Sequence, residues 1–367
     1  MTVPARSLPT VSYSLYQTSP EAFIHQLRDA LLSHGFLYLD DIASSLPSWT
    51  ESWDQAFAVS SAFFQLPVEE KENIAMLESK HFRGYSGFKV EVTAGKKDLR
   101  EQIDFGPETP PHPESSSNLY LSLYGPNLFP TSSQVPTFRT SILSFRSQLH
   151  QIAQTLLHAI ALSITSRPDL IEQAWYPRSD SDRDRKMAEF EPDYSRMKIV
   201  SYPVVKREEQ HEGALGVGAH KDGGGLTLLA QDQTGGLQVQ AWDGVWIDVT
   251  PKKYALVINI GQVLERLTVG IYSATTHRVL PTLGTQPRLS IPLFFSPTLQ
   301  AHLTPLDPVQ DLHPSEKVSE VKQNDLHEEV FGKMAWRGIS RSHGDVWERW
   351  YGKEVDPVGG PEVDVAV

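Results

Sequence analysis

Residues 215–231 read LGVGAHKDGGGLTLLAQ, and the rest of the chain is organised around them. The segment carries His220 and Asp222 two positions apart, and three glycines follow at once. If the segment is extended, residues i and i+2 point to the same face, so the imidazole and the carboxylate can enter one cavity. Alone this is a weak signal, because a His-x-Asp pair arises by chance in a chain with 13 histidines.

A second imidazole further along the chain strengthens the signal. His277 lies in the segment Thr276-His277-Arg278. Together with His220 and Asp222 it supplies two imidazoles and one carboxylate, which is the ligand set of a facial non-haem iron(II) site with open positions. The chain has no cysteine, which excludes disulfides, cysteine-ligated zinc, iron–sulfur clusters and thiol nucleophiles. Any metal must therefore bind to His, Asp or Glu.

The C-terminal half has the pattern of a strand-rich structure. β-Branched and aromatic residues recur there in short runs that are separated by glycine turns. The predicted strands are Met197–Tyr202, Leu226–Gln231, Leu237–Ala241, Val245–Val249, Ala255–Ile260, Thr276–Val279 and Leu289–Phe295. Such a series without intervening helices predicts a sandwich, barrel or jelly roll. We predict a mainly β protein with flanking helices (α+β) and a double-stranded β-helix, a jelly-roll variant, at its core.

An arginine and a serine on the last predicted strand form a second candidate group. Arg288 and Ser290 are two positions apart, so a guanidinium and a hydroxyl point to one side. Arginine presents a planar fork that binds a carboxylate bidentately. Tyr202, in the first strand of this half, could donate a further hydrogen bond to the same carboxylate.

The N-terminal half is predicted to be mixed helix and strand. Ser19-Pro20-Glu21 is a helix start signal and Gly35 an end signal, and the apolar period from residue 138 to 164 predicts a long helix. The charged stretch between Tyr176 and Arg196 favours a surface insertion over a lid. We divide the chain into an N-terminal mixed α/β domain (1–130), the long support helix with the charged loop (131–195), the double-stranded β-helix core with the candidate metal site (196–300) and a C-terminal helical tail (301–367).

Composition limits the partners that we expect. The chain has 367 residues, of which 40% are hydrophobic and 21% charged, as in ordinary globular proteins. Its formal charge of −12 argues against a nucleic-acid partner, because phosphate binding needs clustered Lys and Arg. No apolar run has the ~20 residues of a membrane span. The N-terminus has no apolar secretory segment, so we expect a cytoplasmic protein that acts on a small molecule, with no obligate protein partner.

Several segments resemble the iron(II)/2-oxoglutarate-dependent dioxygenases, in the branch that includes isopenicillin N synthase. The resemblance covers nearly the whole chain and is carried by Gly35-Phe36, the run from Phe63 to Lys71, Arg83-Gly84-Tyr85, Ser201-Tyr202-Pro203, residues 215–222, residues 236–239, Asn259-Ile260-Gly261, Thr276-His277-Arg278-Val279 and Arg288-Leu289-Ser290. It implies iron(II) on His220, Asp222 and His277. It also implies that 2-oxoglutarate is held by Arg288, Ser290 and Tyr202, with dioxygen as the other cosubstrate. Gln262 departs from the family, which usually has Asp there.

The resemblance also implies an activity, with alternatives. It implies oxidation of a small-molecule, secondary-metabolite substrate by hydroxylation, desaturation or cyclisation, coupled to conversion of 2-oxoglutarate to succinate and CO2. An isopenicillin N synthase-type oxidase without 2-oxoglutarate, an ethylene-forming enzyme that consumes 2-oxoglutarate, and a non-catalytic ligand-binding protein on the same fold remain open. The candidate substrate-pocket residues, each equally well explained by packing, are Tyr85, Val92, Leu228 and Phe294.

Overall fold

The apolar period from residue 138 to residue 164 forms one helix in the computed structural model of the protein. Ile142, Phe145 and Leu149 are fully buried along one side of it, as the helical period requires. The structure describes residues 7–93, 95–111, 118–176, 193–205, 215–307 and 330–352. Residues 177–192, which make up nearly all of the predicted charged insertion, lie outside the described part.

The described residues form nine α-helices, numbered here in chain order. They are α1 (Leu15–Thr18), α2 (Pro20–His34), α3 (Trp49–Phe64), α4 (Val68–Glu72), α5 (Phe138–Ile164), α6 (Pro168–Trp175), α7 (Gln262–Leu267), α8 (Phe331–Ser342) and α9 (Gly344–Tyr351). α2 begins with Pro20 in its first turn and ends at Gly35, whose φ of 65° is left-handed. Both end signals read from the sequence are therefore confirmed.

The same residues contribute fourteen strands. They are β1 (Thr10–Ser12), β2 (Phe36–Asp40), β3 (Gly84–Ser86), β4 (Val92–Thr93), β5 (Lys96–Lys97), β6 (Glu101–Phe105), β7 (Arg196–Tyr202), β8 (Val217–His220), β9 (Leu226–Gln231), β10 (Leu237–Gln240), β11 (Trp246–Asp248), β12 (Leu256–Ile260), β13 (His277–Val279) and β14 (Arg288–Phe295). Every strand predicted for the C-terminal half is present, to within one residue at either end.

Two sheets pack face to face. The larger has the strand order β1-β2-β12-β9-β14-β7-β6-β3, and the smaller has the order β11-β10-β13-β8. Val200 and Val257 of the larger sheet share one buried cluster with Leu237 and Val279 of the smaller sheet. This arrangement is the jelly-roll core that the sequence predicts. β1, β2, β3 and β6 belong to the larger sheet, so these four strands of the predicted N-terminal domain share a sheet with the core.

The larger sheet has one apolar face and one mixed face. In β9, Leu226, Leu228 and Ala230 pack in the same core cluster as the buried side of α5. The alternate residues, which include Thr227 and Gln231, point the other way, into the space between the two sheets. Period-two alternation therefore puts polar side chains inside the jelly roll. No helix among the described residues is both long and apolar enough to cross a lipid bilayer.

The C-terminal helices cover the N-terminal part of the fold. Trp336 of α8 lies edge-on to Phe82, and Tyr351 of α9 is stacked on the same ring. His343, at the junction of the two helices, is 1% exposed. The predicted helical tail is thus a packed element from residue 331 to 351. Residues 308–329 and 353–367 of the predicted tail lie outside the described part.

Candidate active site

The three predicted metal ligands converge in the smaller sheet. β8 ends at His220 and β13 begins at His277, and the two residues are paired across the sheet. Their ring centroids are 4.3 Å apart. Asp222 follows two residues after His220, and its Oδ1 lies 3.5 Å from Nε2 of His220 and 3.6 Å from Nε2 of His277. One ligand atom from each residue lies within 4.8 Å of the others.

Hydrogen bonds to backbone carbonyls orient both imidazoles. Nδ1 of His220 lies 2.8 Å from the carbonyl oxygen of Gly218, and Nδ1 of His277 lies 3.1 Å from that of Thr275. A carbonyl oxygen can only accept, so each Nδ1 carries a hydrogen, and in the neutral imidazole each Nε2 then has the lone pair. Both lone pairs are therefore available to a metal, since a hydrogen bond to one ring nitrogen sets the role of the other.

Two polar side chains fix the carboxylate. Oδ2 of Asp222 accepts hydrogen bonds from Oγ1 of Thr227 and from Nδ2 of Asn259 at 2.8 Å. Oδ1 is then the oxygen that faces the two imidazoles. Sequence reasoning did not single out Thr227 or Asn259 as functional residues. The signal was present, because the two are cross-strand partners on the mixed face of the larger sheet.

The glycine run after Asp222 allows a close approach of backbone to neighbouring elements. A Cβ on Gly225 would lie 1.9 Å from the ring of Trp175, and a Cβ on Gly261 would lie 2.2 Å from the carbonyl oxygen of Gly224. The amide of Gln262 donates to the carbonyl of Asp222 at 2.8 Å. The departure at Gln262 therefore preserves a backbone contact that holds the Asp222 segment in place.

The charge states of the site follow from burial and mutual contact. Burial alone would raise the pKa of Asp222, but the two histidines and Asn259 lower it below its usual value, so the carboxylate is ionised. Burial lowers the pKa of His277, which favours its neutral form. Burial would also lower the pKa of His220, but its contact with Asp222 raises it.

This donor set fits a divalent transition metal. Two neutral imidazole nitrogens and one anionic oxygen face a common point, and three protein ligands leave open coordination positions. Asp222 is 6% exposed and His277 8% exposed, whereas the His220 side chain is 30% exposed and stands on the more open side. The three residues can hold iron(II) in the geometry typical of non-haem oxygenases.

A buried guanidinium lies on the larger sheet, opposite the metal centre. Arg288 is 1% exposed. Its Nη1 donates to Oγ of Ser290 at 3.2 Å and its Nη2 donates to Oε1 of Gln231 at 3.0 Å. Both partners are neutral, and Nε of Arg288 and Nε2 of Gln231 have no hydrogen-bond partner among the described residues. A desolvated cation with neutral partners and a spare donor is a strong binding site for an anion.

Tyr202 lies beside this arginine, and its ring contacts the guanidinium. It pairs with Arg288 across β7 and β14, and the guanidinium carbon lies 4.7 Å from the centre of its ring. The ring face thus contacts the cation, a contact that stabilises Arg288 without using its N–H groups. Gln231 was missed by sequence reasoning, although the alternation in β9 places it on the same face as Thr227.

The structure brings two of the four candidate pocket residues near the site. Phe294 pairs with Thr227, and Val92 lies in β4, which contacts β8, the strand that ends at His220. The other two point away. Leu228 is in the core beneath α5, and Tyr85 packs against Phe63 and donates to Glu101. Each lies on the opposite face of its strand because side chains alternate along a strand.

Comparisons with known proteins agree with this fold and site. Residues 8–132 match the family model of the non-haem dioxygenase in morphine synthesis N-terminal domain, and residues 194–297 match that of the 2OG-Fe(II) oxygenase superfamily. A 2-oxoglutarate-dependent dioxygenase of Dothideomycetidae sp. is 33% identical over 361 residues, which are 94% of this chain and 92% of that protein. One from Gibberella zeae is 34% identical over 308 residues, 78% of this chain and 74% of the relative.

A solved structure supports the same assignment. A 2OG-Fe(II) oxygenase family protein from Caulobacter crescentus, described as putative in its name, superimposes with a TM-score of 0.66 at 26% identity, covering 90% of this chain and 99% of that one. Fold and site together define a jelly-roll oxygenase. The chain belongs to the 2-oxoglutarate/Fe(II) oxygenase superfamily. It is an oxidoreductase, a dioxygenase whose cofactor is iron(II) and whose cosubstrates are 2-oxoglutarate and dioxygen.

Proposed function

We propose that this dioxygenase holds iron(II) on His220, Asp222 and His277 and anchors the far carboxylate of 2-oxoglutarate on Arg288 and Ser290. The observation that carries the proposal is Arg288 itself. It is fully enclosed, its hydrogen-bond partners among the described residues are neutral, and its Nε has no partner. A buried cation without an anionic partner is energetically unfavourable, and a bound anion removes that penalty. A dicarboxylate can supply the anion with one carboxylate while its other end reaches the metal.

The chain's own residues divide the work of binding and orientation. Thr227 and Asn259 hold one oxygen of Asp222 and so keep the other directed at the metal position. The Tyr202 ring supports the guanidinium of Arg288, and Gln231 fixes its orientation. Iron, when bound, supplies the activation of dioxygen at the expense of 2-oxoglutarate. The apolar cluster between the two sheets keeps water away from the reacting groups.

The proposed substrate is a small molecule of the kind met in secondary metabolism, which is hydroxylated, desaturated or cyclised. Support comes from the enclosure of the triad between the sheets, since Asp222 and His277 are both more than nine-tenths buried. Only a group narrow enough to enter that space can reach a metal there. Phe294 and Val92 are proposed as pocket residues, because they lie near Thr227 and near the His220 strand.

The test is iron-dependent turnover of 2-oxoglutarate. Protein loaded with iron(II) under anaerobic conditions is exposed to dioxygen and 2-oxoglutarate, and succinate is measured with and without a panel of small molecules. The wild type is expected to form succinate, and the rate of succinate formation is expected to be at least 100-fold lower in His277→Ala. His158→Ala, which alters an exposed histidine paired with Glu172 on the helical layer, is the matched control. Unchanged turnover in His277→Ala would refute the proposed ligand set.

A further inference from the structure

Arg100 is a second guanidinium of the interior, and the function proposed above gives it no role. Glu101 pairs with Ser201 across β6 and β7, which places Arg100 beside Tyr202. Tyr202 in turn pairs with Arg288. Two arginines therefore flank one tyrosine in a single row across three strands, with their Cα atoms about 10 Å apart by strand spacing.

Arg100 also lies close to the metal centre. Asp98, its ion-pair partner, accepts a hydrogen bond from the amide of Gly218, two residues before His220. The segment that carries Arg100 is thus fastened to the strand that carries the first metal ligand.

The acids around Arg100 are fully used by protein partners. Both oxygens of Glu91 contact Nζ of Lys198, at 2.7 and 2.9 Å, and one of them also lies 3.2 Å from Nη2 of Arg100. Oδ2 of Asp98 accepts from Thr93 and from Nη2 of Arg100, and its Oδ1 accepts from a backbone amide. Every oxygen of this pair of acids therefore already has a protein partner.

In this cluster the hydrogen-bonding groups without a partner are N–H groups of Arg100. Arg100 is 8% exposed, and both of its ionic contacts use the same atom, Nη2. Within the described part of the chain, Nε is buried without a hydrogen-bond partner and Nη1 makes no hydrogen bond. Unused N–H groups on a nearly buried guanidinium favour a hydrogen-bond acceptor, most strongly an anionic one. Glu91 and Asp98 nearby disfavour a dianion, so a single carboxylate fits best.

We propose that Arg100 anchors a carboxylate of the oxidised substrate, while Arg288 serves 2-oxoglutarate. The inference rests on the proposed function, because it assumes that the interior between the sheets is the oxygenation site. It narrows the substrate class to small carboxylic acids. It also makes the two arginines of the row non-equivalent, since one has acidic neighbours and the other only neutral ones.

The test uses iron-loaded enzyme with 2-oxoglutarate and a panel of aliphatic, aromatic and amino acids, each paired with its carboxamide. Succinate formation and the shift in Tm are measured for each compound. In the wild type we expect at least one acid to stimulate succinate formation at a concentration about 10- to 100-fold lower than its amide requires. This ratio is the one expected for hydrogen bonds to a charged group. Arg100→Lys keeps a charge for Asp98 and Glu91 but loses the planar donors, so the preference should drop to about threefold or less with Tm unchanged.

Two controls separate this idea from its alternatives. Arg146→Lys removes a guanidinium on α5 whose Nε is also unpartnered, and it should keep the acid preference. The KM for 2-oxoglutarate should stay within about twofold in Arg100→Lys. An acid preference that survives in Arg100→Lys, or no preference for any acid in the wild type, overturns the assignment. If the wild type forms no succinate from 2-oxoglutarate, either with or without any compound of the panel, the proposed function itself is overturned.

Discussion

Replacing Arg288 by methionine is the most informative single change for the cosubstrate pocket. Methionine fills a similar apolar volume but has no N–H group, so the pocket keeps its shape and loses its charge. In the structure the guanidinium has one spare Nε and two neutral partners, Ser290 and Gln231. The N–H groups of Arg288 that have no acceptor are therefore available to a carboxylate.

The size of the effect follows from those donors. A hydrogen bond between charged groups contributes about 1.5–3 kcal/mol. The guanidinium has five N–H groups, and Ser290 and Gln231 accept from only two of them, so a carboxylate can accept from two others. Losing two such bonds costs roughly 3–6 kcal/mol, which is about 100- to 20,000-fold in the affinity for 2-oxoglutarate. Stability should change little, because a buried cation without an acidic partner is replaced by an apolar side chain.

Calorimetric titration of 2-oxoglutarate into manganese-loaded enzyme measures this affinity without turnover. Arg278→Met is the matched control, because Arg278 lies on β13 with its guanidinium over Trp246 and its Nε bonded to Gln238. It should bind 2-oxoglutarate like the wild type. An Arg288→Met protein that binds 2-oxoglutarate within threefold of the wild type would refute the assignment. A large fall in its Tm would show that Arg288 is structural instead.

Three further predictions concern the groups around the site. Asn259→Ala should weaken manganese binding in a calorimetric titration by about 10- to 100-fold, because Asp222 loses a bond that orients it. Lys198→Met should lower the free energy of unfolding in urea by about 3–5 kcal/mol, since it leaves the carboxylate of Glu91 short of a buried partner. Burial would raise the pKa of Glu91, but Arg100 and Lys198 hold it below its usual value. The ionised Glu91 carboxylate therefore contributes fully to stability above the unfolded-state pKa of about 4.3, and this contribution is lost as the pH falls below that value. Urea unfolding between pH 7 and pH 3 can follow the loss.

Each of these has an outcome that contradicts it. Metal affinity unchanged in Asn259→Ala would mean that Thr227 alone orients the carboxylate. A Lys198→Met protein as stable as the wild type would show that Arg100 alone compensates Glu91. The acid-dependent loss of stability should be less steep in Glu91→Gln, and an equally steep loss would assign it to other carboxylates.

Much of the fold was predictable because its periods are regular. The buried stripe of α5 and the alternation of the C-terminal strands are local patterns, and the structure confirms both. The convergence of His220 with His277 was also predictable, because an extended His-x-Asp segment and one distant strand are enough to build the triad. These features depend on neighbours in sequence or on one long-range pairing.

What the sequence did not reveal depends on which face of a strand is turned inward. Leu228 was predicted to line the pocket, but its neighbours Thr227 and Leu229 face the interior, and only the packing of α5 decides between the two sides. Tyr85 faces the helical core instead of the space between the sheets, in the same buried cluster as its cross-strand partner Ile103. The contact between Glu91 and Lys198 joins residues 107 positions apart, and no local pattern indicates it.

A structure of the protein with manganese(II) and 2-oxoglutarate, prepared anaerobically, tests the central claim most directly. One metal ion should be bonded to Nε2 of His220, Oδ1 of Asp222 and Nε2 of His277, with the far carboxylate of 2-oxoglutarate on the guanidinium of Arg288. Metal bound elsewhere, or a 2-oxoglutarate carboxylate that does not contact Arg288, would contradict the account.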